Sequence, residues 1–541
     1  MSSTTAFNES RTTGRPDDDR IKVVYLPLDE RPCNYDYPIA LAGMTDLRLI
    51  VPDRGLLGDK KQAADTAALA AWMEAAAANA QYALLSIDML VYGGIVPSRL
   101  HEWSPSECQA RLAILRRLKL HNPHLRLFAF NLITRAPAYS SSEEEPDYYA
   151  LHGRELNVYG KLRDKGERET LSPEEEQELE AARRSIPVEI LSDFLTRRRT
   201  NAFVNEQAIG LAREGIIDFL IIPLDDNAKY GYTSADQRKL TSLVERENLT
   251  GKVHIYPGAD EIGCTLFARI VCETAGFLPT FHLRFSSSIG PSCIPKYEDR
   301  SLNESIKCHL TAAGAVIGDS SDPADVYLMV HSPPVGQADM AETTDRYEDR
   351  HRSYYSEVNV REFVQAIRHY ASRGRLIALA DVALCNGGDH SLMKLLSEEG
   401  LLGSISCYAA WNTSGNSLGT VISHAIIEAY NRSKAESERV PEAAAKSRDY
   451  YLYRLLEDWG YQSIVRQELC ERELPALHAD YFRISHVQEQ IEAMIGPRLE
   501  QFSRKYFPEF GELRVSEVRL PWKRMFEVGF RLETTTLSLA E

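Results

Sequence analysis

Short apolar runs without hydrophobic–polar alternation recur along the chain, each followed by a polar turn and an amphipathic stretch. The first series is Lys22–Leu28 ("KVVYLPL"), Leu47–Val51, Tyr82–Ile87 ("YALLSI"), Leu125–Asn131 ("LRLFAFN"), Phe219–Leu224 ("FLIIPL") and Val253–Tyr256. A continuous apolar run suits a strand covered on both faces, as in a parallel sheet. Helical stretches such as "QAADTAALAAWMEAAAANA" and "SECQARLAILRRLKLH" lie between the runs. A second series begins near Pro279 with "TFHLRF", "AVIG", "DVYLMVH", "LIALAD" and "SISCYAAW", again separated by helical stretches. The alternation predicts an α/β protein of two parallel-sheet lobes, the first barrel-like and the second doubly wound. An arrangement in which both series close one large (β/α) barrel is the alternative, because the pattern does not contain strand order.

Segments that break the rhythm set the boundaries. Residues 1–20 are a polar leader, 21–278 the first lobe, 279–435 the second, and 436–541 a mainly helical C-terminal region. That last region is expected to pack as an appendage against one lobe. A charged insertion at 140–200 contains "SPEEEQELEAARR", a helix start with acids first and arginines last. It reads as a solvated helical hairpin, with a lid over a site as the alternative.

A chain of 541 residues exceeds the size of one core, which agrees with two or more domains. The net charge of −16 argues against a nucleic-acid partner, which needs a basic face. Nine cysteines without a C-x-x-C pair read as reduced thiols. No run of about 18 apolar residues exists to span a bilayer, and the N-terminus lacks the apolar core of a secretion signal. A cytoplasmic protein is expected, with homo-oligomerisation left open.

Ligands of parallel α/β sheets bind beyond the carboxyl ends of the strands. Here those ends carry Asp29 and Arg31, then Asp88, then Asn131, then Asp225, Asp226, Asn227, Lys229 and Tyr230, then Asp260 and Glu261. The second series ends in His331, in Asp381 with Asn386 beyond, and in Trp411 with Asn412 beyond. Each has a bland reading as a helix cap, a local ion pair or a core residue. The doubled acid is the exception, since a cap uses one carboxylate and leaves its neighbour unexplained. No P-loop, no G-x-G-x-x-G after the first strand and no H-E-x-x-H motif is present. Acids, amides and aromatic faces suit a carbohydrate site. Adjacent carboxyls separate their own pKa values, which suits acid–base work.

"LPLDERPCN", "IPLDDNAKYGYT" and "AAWNTSGNSLGT" resemble the signature stretches of a bacterial family catalogued only as a domain of unknown function. The resemblance covers most of the chain and implies no activity. The Asp–Asp pair after a strand is also similar to that of O-GlcNAcase-type hexosaminidases. This second resemblance implies a substrate-assisted mechanism in which Asp225 orients an acetamido group and Asp226 is the general acid. It departs at the first strand, where those enzymes carry Gly-aromatic-Gly and this chain has "DERP". The expectation is a hydrolase for a sugar-like small molecule, with no cofactor and no metal. The alternatives are a metal-dependent hydrolase or lyase using Asp29, Asp88, Asp225, His331, Asp381 and His390, and a non-catalytic binding protein.

Overall fold

The computed structural model describes residues 20–319, 323–440 and 442–534. The leader read at 1–20 therefore lies, except for Arg20, outside the described residues.

Two separate parallel sheets carry the fold. The first contains β1 (Lys22–Leu26), β2 (Arg48–Ile50), β3 (Tyr82–Ser86), β4 (Arg126–Phe130), β5 (Phe219–Leu224) and β6 (Val253–Pro257), in the order β2-β1-β3-β4-β5-β6. The second contains β7 (Thr280–Phe285), β8 (Val316–Ile317), β9 (Val326–His331), β10 (Ile377–Asp381) and β11 (Cys407–Ala409), in the order β11-β10-β9-β7-β8. Every pairing in both is parallel. The lobes thus share one winding pattern: the first strand of each lies between its second and its third. The first sheet is open, ending at β2 and β6, and the barrel alternative is not realised. All six residues of β5 are buried, which is why the run "FLIIPL" shows no alternation.

Winding of this kind creates a switch point between the first and third strands, where successive connections leave toward opposite faces and open a crevice. The switch points lie between β1 and β3, and between β7 and β9. The loop holding Asp29 and Arg31 follows β1, and Asp88 follows β3; Ser286 follows β7, and His331 ends β9.

The lobes pack on one another through the helices Ile262–Ala275 and Ser414–Ser433. Sixteen of the twenty residues of the second helix are buried, so it is a central element of the molecule. Gly419 sits at the crossing, where an added Cβ would lie 2.1 Å from Glu261 Cγ.

The C-terminal region does more than cover one lobe. Its helix Ala443–Arg454 continues into a π-helical stretch, Leu455–Val465, with Arg454, Glu457 and Asp458 all buried. Arg454 pairs with Glu457, Tyr37 of the first lobe donates to Glu457 at 2.6 Å, and Asp458 accepts from the Ala410 amide of the second at 2.8 Å. Its apolar residues share a core with β9, β10 and their helices. The expectation of an appendage on one lobe is corrected: the region ties both lobes, and its antiparallel hairpin β12 (Leu513–Arg519) and β13 (Gly529–Thr534) flanks a loop that enters the first. All nine cysteines are free. No helix among the described residues is long and apolar enough to cross a membrane.

Gly419→Ala is expected to destabilise the protein by about 1–3 kcal/mol, because the methyl group overpacks the helix crossing. Thermal denaturation should show a lower midpoint than wild type; an unchanged midpoint would mean that the crossing relaxes freely.

Candidate functional site

At the carboxyl edge of the first sheet, the sequence "LDERPCN" closes the loop after β1 on itself. Pro32 starts the helix Pro32–Ala42, and Asp29 accepts from the Arg31 amide at 3.0 Å. Asp29 also receives Arg31 Nη2 at 2.7 Å and Asn34 Nδ2 at 3.0 Å. The same guanidinium reaches Asp260 beyond β6 at 2.5 Å and Glu527 of the C-terminal region at 3.3 Å. One arginine thereby joins loops at distant positions in the sheet to the chain end.

The doubled acid after β5 belongs to the same network. Asp225 is 7% exposed and pairs with Arg99 Nη2 at 2.7 Å. Asp226 has φ +45°, a left-handed conformation uncommon for a residue other than glycine. Its carboxylate meets a different arginine, Arg135, at 3.2 Å. Glu144 and Glu145, at the start of the insertion, complete the arrangement. Glu144 bridges Arg99 at 2.9 Å and Arg135 at 3.0 Å and pairs with Arg524, while Glu145 bonds Arg135 at 2.9 Å. Arg524 closes the circuit on Glu527 at 2.7 Å, and Trp522 lies against both Arg31 and Arg524.

Four guanidinium groups thus face seven carboxyls: Asp29, Asp260, Glu527, Glu144, Glu145, Asp225 and Asp226. Burial penalises unbalanced charge and pushes carboxyl pKa values up, while the arginines pull them down. Burial lifts Asp226 to about 6, with the charge of Asp225 adding to it and Arg135 opposing it. Asp260 and Glu145 are raised by burial against the pull of their arginines. At Glu144 the arginines win: burial acts against its charge, yet Arg524, Arg135 and Arg99 hold it well below the ordinary carboxylate range.

Asp226 faces the second lobe. The amide of the next residue, Asn227, donates to the Tyr297 carbonyl at 2.8 Å. Tyr297 and Tyr139 keep 39% and 47% of their surface exposed, and the charge of Asp226 acts on both phenols. Two accessible aromatic rings therefore accompany an acid whose pKa burial raises to about 6.

The other residues singled out in the sequence fall into three groups. Asp29, Arg31, Asp225, Asp226 and Asp260 share the arginine network, with Asn227 beside it. Asp88 and Asn131 sit behind it as ties between strand tips: Asp88 accepts from Leu132 N at 2.9 Å and Asn131 Nδ2 at 3.2 Å, and burial lifts it to about 7. The rest lie elsewhere. Glu261 is buried at the helix crossing and raised by burial to about 8. Lys229 and Tyr230 turn outward to Glu169. His331 bonds Ser286 at 2.9 Å and Asp389 at 3.2 Å, and Asp381 accepts from the Asp389 amide at 2.8 Å, all inside the second lobe. Asn386 donates to Glu342 at 3.3 Å, and its amide donates to the Asn412 carbonyl at 2.9 Å.

The placement of Trp411 in the cleft is corrected. It is buried in the first lobe's core and packs edge-on to Phe526 at 5.8 Å, because its strand end is covered by the C-terminal region. The six candidate metal ligands are dispersed, with His390 accepting from the Trp459 indole. Among the described residues no three His, Cys, Asp or Glu side chains are arranged to hold a metal ion. The residues that sequence reasoning missed are Arg99, Arg135, Glu144, Glu145, Arg524 and Glu527. Arg99 and Arg135 follow strand tips and carried a signal; Glu527 lies in "MFEVGF", which reads as a strand.

Residues 23–531 match the family described as "Protein of unknown function (DUF4127)", and the chain belongs to that family. No curated protein matches it.

The retained protons give a stability signature. Asp88, Asp381, Glu30 and Glu298 are lifted by burial to about 7 and Glu261 to about 8. Buried His101 and His424 and half-buried His254 are lowered to about 4 and buried His309 to about 3, which opposes this trend in acid but ends once unfolded histidine has lost its proton near 6.5. Above that pH the folded chain binds more protons than the unfolded chain, so stability falls as pH rises. Urea denaturation should give midpoints that decline from about pH 6.5 to about pH 8; a flat or rising midpoint across this window would contradict the assignment.

Proposed function

We propose that this member of the family is a glycoside hydrolase acting on a 2-acetamido sugar, with Asp226 as general acid and Asp225 as the group that orients the acetamido N–H. The observation that carries the reading is Asp226 itself: an acid raised to about 6, on a left-handed backbone, accompanied by the accessible rings of Tyr139 and Tyr297. Tyrosine rings supply apolar faces on which a pyranose can rest, and an acid poised near neutrality can give up its proton in the transition state.

The roles divide by environment. Asp225 is held in an ion pair by Arg99, an arrangement that suits a hydrogen-bond acceptor for the substrate amide. Asp226 gives its proton to the glycosidic oxygen as the bond to the anomeric carbon breaks. The substrate's own acetamido carbonyl attacks that carbon and forms a cyclic intermediate. Water then opens the ring, and Asp226 takes back the proton that the water loses. Adjacent side chains on one turn diverge and do not flank a sugar from opposite faces as two independent carboxyls would. The different arginine partners of Asp225 and Asp226 agree with that divergence.

Purified protein assayed on aryl glycosides is expected to release the phenol from N-acetylhexosaminides, with turnover unaffected by chelator. Asp226→Asn should lower kcat by about 10²–10⁴-fold, the usual worth of a general acid. Activity should fall as pH rises through about 6, when Asp226 loses its proton. Binding of the sugar without turnover would replace this reading with that of a ligand-binding protein, and activity unchanged in Asp226→Asn would remove Asp226 from the chemistry.

A further inference from the structure

A surface cleft of about 480 Å³ opens between the loop after β2, the start of the insertion and the C-terminal region. The volume is that of a small-molecule site. Four cationic side chains from three separate segments line it: Lys60, Lys61, Arg483 and Lys523. They face two carboxylates, those of Asp59 and Glu143. Among the lining residues cations thus outnumber carboxylates, in a chain of net charge −16.

The cleft is a built feature. Lys60, Trp522 and Lys523 have φ +49°, +57° and +54°, left-handed conformations that bulky side chains adopt only when their surroundings impose them. The consecutive pair Trp522–Lys523 uses this turn to send the indole inward and the lysine outward. Trp522 is held by its N–H to Glu30 at 2.5 Å and lies over Arg31 and Arg524, so the floor of the cleft is the roof of the arginine network. Phe482, 46% exposed, adds an apolar wall.

The present partners of these cations are exchangeable. Lys60 pairs with Glu143 at 2.6 Å, Lys61 with exposed Asp147 at 3.4 Å, and Arg483 with Asp480 at 2.6 Å. Ion pairs on the surface contribute little, so an anion with several oxygens can displace them. The amide of Lys523 donates to the Leu520 carbonyl at 3.3 Å, while its side chain is exposed and makes no hydrogen bond or ion pair among the described residues.

We propose that this cleft binds the anionic group, phosphate or carboxylate, of a small polar molecule. The inference is independent of the glycosidase reading, because the cleft is lined by other residues and its test is binding.

Calorimetric titration of the full chain with inorganic phosphate, glucuronate and uncharged glucose tests it. At least one anion should bind saturably, more weakly as salt is added, while glucose produces no comparable heat. Tighter binding of phosphate identifies a phosphoryl group as the ligand chemistry, and tighter binding of glucuronate a sugar acid. The double variant Lys523→Glu/Arg483→Glu should weaken binding by about tenfold or more with an unchanged thermal midpoint, as expected for exposed side chains. Lys61→Glu provides a second, single-site variant with the same expected direction. Asp226→Asn should bind as wild type does, whatever its hydrolytic activity. Absence of saturable binding by both anions, or equal binding by wild type and both charge-reversal variants, overturns the proposal.

Discussion

Everything at the carboxyl edge of the first lobe depends on balancing charge without water. Arg31, Arg99, Arg135 and Arg524 are nine-tenths or nearly so removed from solvent, and none can give up its proton to escape the cost. Carboxyls must therefore surround them, and these come from the loops after β1, β5 and β6, from the insertion and from the C-terminal region. Removing a single partner would leave a buried charge uncompensated, a loss of about 3–5 kcal/mol. The network accordingly fixes the position of these segments, and of those that carry Arg99 and Arg135, at once. It also holds more acids than bases, and burial, with the charge of Asp225 adding to it, raises Asp226 to about 6. The pairing that organises the network and the proton that the proposed chemistry uses both follow from burial.

The two lobes show how topology concentrates polar groups. Both sheets place their first strand between the second and third, and both put polar residues at the resulting switch point. The outcomes differ. Around the first switch point the polar groups extend through Arg31 to Asp260 and on to Glu527. At the second, His331 is satisfied by Ser286 and Asp389, and Asp381 by the Asp389 amide, so the groups lock strand ends together. Similar strand-end residues thus become an extended charge network in one lobe and a brace in the other, according to what packs over them.

Much of the architecture was legible because parallel strands buried on both faces read as uninterrupted apolar runs. Phe219–Leu224 and the "TFHLRF" strand have the bounds that their sequences suggest. The capping box at Ser172 and Glu175 appears where the pattern of acids and arginines implies a helix start. The doubled acid was visible as two charges with no local use. What pairs with it was not visible, because Glu144 and Arg524 are separated by 380 positions and no local pattern links them. Glu144 and Glu145 also stood in a charged insertion whose bland reading was a solvated hairpin. Its helices do form the periphery, while the residues just before them turn inward. Trp411 was misplaced for the same kind of reason: a polar neighbourhood in sequence does not reveal that the C-terminal region covers that strand end.

The most direct test of the account is the protonation state of Asp226. Infrared difference titration, wild type against Asp226→Asn, isolates the carboxyl stretch of this one side chain as pH is varied. The account predicts a protonated-carboxyl band that disappears with a midpoint near pH 6. A midpoint near the ordinary aspartate value of about 4 would contradict it.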